Sequence, residues 1–185
     1  PNNLACVLRD KGQFDDAIEV LRTAIYTNQG SSLLWNSLGT VMMEQTDFEK
    51  AVLFYNQALD IDPGLARAYH NIGYCRATQG QHHEALQQFD RALEMGVLPD
   101  NEEAECKHAQ AISLIGTGQL DRAWDAYECR NNPRYSKATS FSIPCPQWDG
   151  EDLEGKSFLL VGEQGLGDEV LFLNAAHDLT ERLGP

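Results

Sequence analysis

Displacing the chain against itself by 34 residues brings Ala17, Ala51 and Ala85 into register, then Leu21, Tyr55 and Phe89, then Ala24, Ala58 and Ala92. A period of that length marks a supersecondary unit too small to bury its own apolar face, so neighbouring units must stack to make one continuous core. The residue types name the unit. Gly39 and Gly73 lack a Cβ, and Ala51 and Ala85 carry only a methyl, as two antiparallel helices require where they approach closely. Tyr55 and Phe89 are large enough to fill the gap between units.

Local signals divide the array. Gly12, Gly80 and Gly118 break the chain between the two helices of their units, and Pro63-Gly64 stops the second unit. Asp47 is placed to cap the helix that starts near Phe48, and Ser31 or Ser32 the one carrying Trp35. The units expected are 2–31, 32–65 and 66–99 and, after an insertion from Asp100 to Glu103, a fourth at 104–137. The fourth keeps Gly118, Ala123 and Tyr127 but has Arg130 where the others have Ala, as suits an atypical terminal unit.

Trp35, Leu38, Gly39, Ala51, Tyr55, Ala58 and Pro63 of the second unit resemble the tetratricopeptide repeat. The resemblance implies an all-α fold, a right-handed α-solenoid of helix-turn-helix repeats, here followed by a short C-terminal β-α fragment. In that family the first helix of each unit lines a concave groove at repeat positions two, five, six, nine, twelve and thirteen. Carried over, the groove residues are Asn3, Arg9, Asn36, Thr40, Met43, Arg67, His70, Asn71 and Tyr74, with Leu33, Ser37 and Glu44 beside them. Donors and acceptors of this kind suit an extended polypeptide backbone, so a protein or peptide partner is expected. Asn3 and Asn71 resemble the asparagine ladder of O-linked N-acetylglucosamine transferases, although Ser37 and Ala109 stand at the other rungs. The cationic clamp of chaperone-binding arrays is echoed only by Arg9 and Arg67.

A formal net charge of -14 disfavours nucleic acid and anionic lipid, and no apolar run approaches the ~20 residues of a membrane helix. The five cysteines are scattered without a Cys-x-x-Cys, so neither a metal ligand set nor a disulfide framework is expected, and a reducing cytoplasm is. The start at Pro1, without an initiator Met, reads as part of something longer.

Beyond Ser136 the pattern changes. Residues 138–156 read as an extended linker, Ser157–Val161 as a short strand, and Val170–Leu183 as an amphipathic helix opened by the turn Gly162-Glu163-Gln164-Gly165-Leu166-Gly167-Asp168. With Trp148-Asp149-Gly150 and Gly155-Lys156, this string resembles the junction of bacterial proteins that fuse such repeats to a two-Rossmann glycosyltransferase domain similar to heptosyltransferases. By that resemblance Gly165 and Gly167 shape a phosphate-facing turn and Asp168 is the catalytic base of a parent enzyme using a nucleotide sugar. The other reading of Asp168 is a helix N-cap, and for this chain alone the cap is expected, because one strand and one helix do not complete such a domain. No cofactor is expected for the chain itself. An unpaired strand at 157–161, or the array edges, would serve self-association.

Overall fold

The computed structural model describes residues 1–132 together with Pro146, Trp148 and Gly150. The chain divides into two units, Pro1–Ser136 and Lys137–Pro185, and every described helix belongs to the first. The expected strand at 157–161, the helix at 170–183, and Gly165, Gly167 and Asp168 lie outside the described residues, as does nearly all of the linker at 138–156. Eight helices run in order: α1 (Asn2–Asp10), α2 (Phe14–Thr27), α3 (Ser32–Glu44), α4 (Phe48–Ile61), α5 (Ala66–Thr78), α6 (His82–Glu94), α7 (Asp100–Gly116) and α8 (Leu120–Tyr127). A 3-10 turn at Glu128–Asn131 follows, and no strand occurs among the described residues. The fold is an α-solenoid of helix pairs.

One turn is used four times. Within each pair the first helix ends on a residue in the left-handed region: Gly12 at φ 73°, Thr46 at 61°, Gly80 at 77° and Gly118 at 75°. Two backbone bonds close each turn in the Schellman pattern. For the second pair they run from Thr46 N to Met43 O at 2.9 Å and from Asp47 N to Met42 O at 3.0 Å. For the third they run from Gly80 N to Ala77 O and from Gln81 N to Arg76 O, both at 2.9 Å. Glycine meets this φ without a Cβ clash, whereas Thr46 meets it with a β-branched side chain. The next helix then starts two residues later, after a single N-cap residue. Asp47 accepts from Lys50 N at 3.2 Å and caps α4. Ser31 stands at the N-cap of α3 but makes no side-chain cap bond.

Packing explains the small residues. A Cβ added to Gly39 would lie 2.6 Å from Tyr55 Cε1 and 3.1 Å from Ala51 O, and one added to Gly73 would lie 2.6 Å from Phe89 Cε1. Tyr55 and Phe89 are fully buried, as are Ala17, Ala51, Ala85 and Ala123 at the helix crossings. The expected insertion at residues 100–103 is not a loop. It forms the first turn of α7, where Asp100, Glu102 and Glu103 meet the positive end of the helix dipole. Arg130 falls in the 3-10 turn, beyond the end of α8, whereas Ala24, Ala58 and Ala92 at that repeat position are buried. A long charged side chain cannot take the place of a buried methyl, and the helix stops short.

First helices touch one another across repeats, α1 with α3, α3 with α5 and α5 with α7, while α2, α4 and α6 make no such contacts among themselves. The array therefore curves with its first helices on the inner face.

Candidate binding groove

Positions five, six and nine of the repeat form the floor of the inner face. Asn71 on α5 donates through Nδ2 to Asn36 Oδ1 on α3 at 3.3 Å, so two of the expected groove residues are joined across a repeat boundary. Asn36 is buried and Asn71 half-buried. Thr40 donates to the carbonyl of Asn36 at 3.1 Å and accepts from the Tyr55 hydroxyl at 3.3 Å, and that hydroxyl also lies 3.7 Å from Met43 Sδ. Thr40 is thus tied into the wall between helices, leaving little hydrogen-bonding capacity for a ligand. Burial pushes the Tyr55 phenol far above its usual range.

Position five holds an aromatic pair in two consecutive units. His70 stacks at 6.0 Å on Phe89, and His108 at 5.6 Å on Tyr127. Burial lowers the His70 pKa to about 4, with Glu102 opposing and Arg67 assisting, and its Nδ1 is buried without a hydrogen-bond partner. His70 is therefore a neutral packing residue of the floor rather than a ligand-facing base. Asn3 is exposed on α1.

The two groove cations are already engaged. Arg9 donates to Asp10 at 2.7 Å, and Arg67 makes a two-pronged pair with Glu102, with Nε to Oε2 at 2.8 Å. Neither is a free cation for a terminal carboxylate. Glu44 at position thirteen also attracts Arg9 electrostatically without a direct ion pair, and Glu105 at position two makes no ion pair among the described residues. Tyr74 keeps 47% of its surface exposed, and Leu33 53%. Sequence reasoning missed Ile112 and Ile115, which stand at positions nine and twelve of the fourth unit and are also about half exposed. Extending the repeat register through Ala111, the counterpart of Gly39 and Gly73, would have found them.

A separate cleft of about 700 Å³ between α7 and α8, lined by Glu103, Lys107, Gln110 and Arg122 among others, opens on the other side of α7 from these isoleucines. Cys75 and Cys106 are fully buried free thiols whose pKa values burial raises to about 11 and about 12. They act as small apolar residues of the core. No cluster of metal-ligating side chains occurs among the described residues. No helix among them is long and apolar enough to cross a membrane.

Residues 2–66 match one tetratricopeptide repeat model and residues 54–87 another; residues 2–87 are tetratricopeptide repeats. Protein FlbA of Caulobacter vibrioides is 39% identical over 184 residues, spanning 100% of this chain and 31% of that protein. The peroxisomal targeting signal receptor of Candida albicans is 30% identical over 120 residues, 64% of this chain and 20% of that one. The chain thus spans a third or less of the length of these relatives. Among solved structures, MamA is similar with a TM-score of 0.59 and 20% identity over 69% of this chain and 67% of that one, a likeness of fold.

Proposed function

We propose that the chain is a protein-interaction module that holds an extended polypeptide on its inner face. The observation that carries this reading is the cross-repeat pair in which buried Asn36 holds the half-buried Asn71 amide beside the half-exposed Tyr74, setting an amide and an aromatic face along one surface. The likeness to a peroxisomal targeting signal receptor, a protein named for receiving a targeting signal, supports the same reading. The free buried thiols Cys75 and Cys106 accord with a reducing cytoplasm, and the FlbA relative with a bacterial source. A randomised peptide library selected on the chain should yield binders that lose affinity for an Asn71→Ala/Tyr74→Ala variant that remains folded. Binders indifferent to that variant would overturn the reading.

A second reading, that the array recognises the acceptor for a glycosyltransferase, rests on the resemblance of the Trp148 to Asp168 string to the junction of such fusions. The FlbA match runs the whole length of this chain, that string included, within a protein about three times as long. In such a parent Asp168 is proposed as base, with Gly165 and Gly167 in a turn facing a nucleotide sugar. Calorimetric titration of the chain with nucleotide sugars is expected to release no heat. Binding at micromolar ligand would overturn the division of labour between recognition here and donor binding elsewhere.

A further inference from the structure

Resting on the groove reading, we propose that the segment selected is both basic and apolar: an extended stretch that seats one aliphatic or aromatic side chain between Tyr74, Ile112 and Ile115 and carries lysine or arginine beside it. Tyr74 and Ile112 occupy the same repeat position on adjacent first helices, α5 and α7, which touch, and Ile115 lies one turn further along α7. All three keep nearly half of their surface exposed: 47%, 49% and 45%. Single exposed apolar residues are ordinary, but three gathered within one turn on adjacent helices of a concave face form a seat for an apolar side chain.

The same repeat position in the second unit is Thr40, whose hydroxyl is held by Asn36 and Tyr55. At position nine, then, the polar Thr40 of the second unit gives way to Tyr74 and Ile112 in the third and fourth, which sets where along the bound segment this apolar side chain is seated. Charge sets the rest. Arg9 is paired with Asp10 and also attracted by Glu44, and Arg67 is paired with Glu102, so the four carboxylates of Asp10, Glu44, Glu102 and Glu105 outnumber these two cations, on a chain whose net charge is -14. An acidic segment or a terminal carboxylate would meet carboxylates with no free cation at these groove positions, while lysine or arginine is attracted.

The test uses the 185-residue chain and four fluorescent peptides on a Gly/Ser/Asn background: a central Leu flanked by Lys, a central Leu flanked by Glu, a central Ser flanked by Lys, and the first peptide with an amidated C-terminus. Anisotropy titrations should find the Lys-flanked Leu peptide the tightest, unaffected by amidation and weakened by salt. Replacing its Leu by Ser, or the protein's Ile112 and Ile115 by Ser, should each cost roughly tenfold in affinity. Both isoleucines are surface residues, so the variant should keep its helical circular dichroism. Equal affinity for the Glu-flanked peptide, or unchanged binding to the isoleucine variant, overturns this inference and leaves the groove standing. If no peptide binds, or binding ignores Asn71→Ala/Tyr74→Ala, the groove reading falls, and this inference with it.

Discussion

Thr46 offers an internal test of what holds the repeats together, because the same turn is built three more times with glycine. Its φ of 61° lies within about 16° of the values at Gly12, Gly80 and Gly118, and its two closing hydrogen bonds match theirs in length. The exposed Thr46 side chain makes no hydrogen bond among the described residues, so Thr46→Gly removes strain without removing a hydrogen bond. A left-handed conformation costs a non-glycine residue roughly 1–2 kcal/mol. Glycine's greater freedom in the unfolded chain returns roughly 0.5–1 kcal/mol of that. The net expectation is a gain of about 0.5–1 kcal/mol, or about 2–4 °C in melting midpoint. The reciprocal change, Gly80→Thr, introduces no clash, since an added Cβ meets nothing within 4 Å, and should lose a similar amount. Urea unfolding followed by circular dichroism measures both. Because repeat arrays can unfold in parts, amide exchange at residues 45–48 should move in the same direction. A Thr46→Gly midpoint at or below that of the parent would refute the strain argument.

Three further outcomes rest on the packing. Gly39→Ala adds about 1 kcal/mol of helix propensity, yet its Cβ would sit 2.6 Å from the buried Tyr55 ring, so thermal melting should show net destabilisation that shrinks in a Tyr55→Leu background, the 3.1 Å approach to Ala51 O remaining. Ala51→Leu or Ala85→Leu forces a larger side chain into a fully buried crossing and should cost ~1–3 kcal/mol; an unchanged midpoint would contradict the packing. For His70, the folded pKa of about 4 lies below the ordinary value near 6.5, so between those values the unfolded chain binds a proton that the folded chain refuses. Stability is fully present above pH 6.5 and falls as pH drops toward 4, by up to about 3 kcal/mol, and denaturant titrations of a His70→Phe variant should lack this component.

Much of the array was legible because its determinants are local or periodic. Gly39, Gly73, Ala51 and Ala85 announce close helix crossings by their size, and Asp47 announces a cap by its chemistry. Thr46 was not legible as a turn residue, because it lacks the residue type that signals positive φ; only the four-fold repetition of the turn reveals it. Residues 100–103 look like an insertion when counted by period, yet three carboxylates at a helix start stabilise another turn of α7. In the groove, sequence position found Asn36, Asn71 and Tyr74 but not what they do. Whether Arg9 and Arg67 face a ligand or a neighbouring carboxylate depends on Asp10 and Glu102, and the second of these is 35 residues away. The neutrality of His70 depends on burial against Phe89, which no spacing rule encodes.

The central claim is that a polypeptide lies on the first helices. Hydrogen–deuterium exchange of the chain, free and saturated with a selected peptide, tests it most directly. Added protection should fall on α3, α5 and α7, around Asn36, Asn71, Tyr74 and Ile112, with α2, α4 and α6 unchanged. Protection concentrated on α2, α4 and α6, or on residues 137–185, would contradict it.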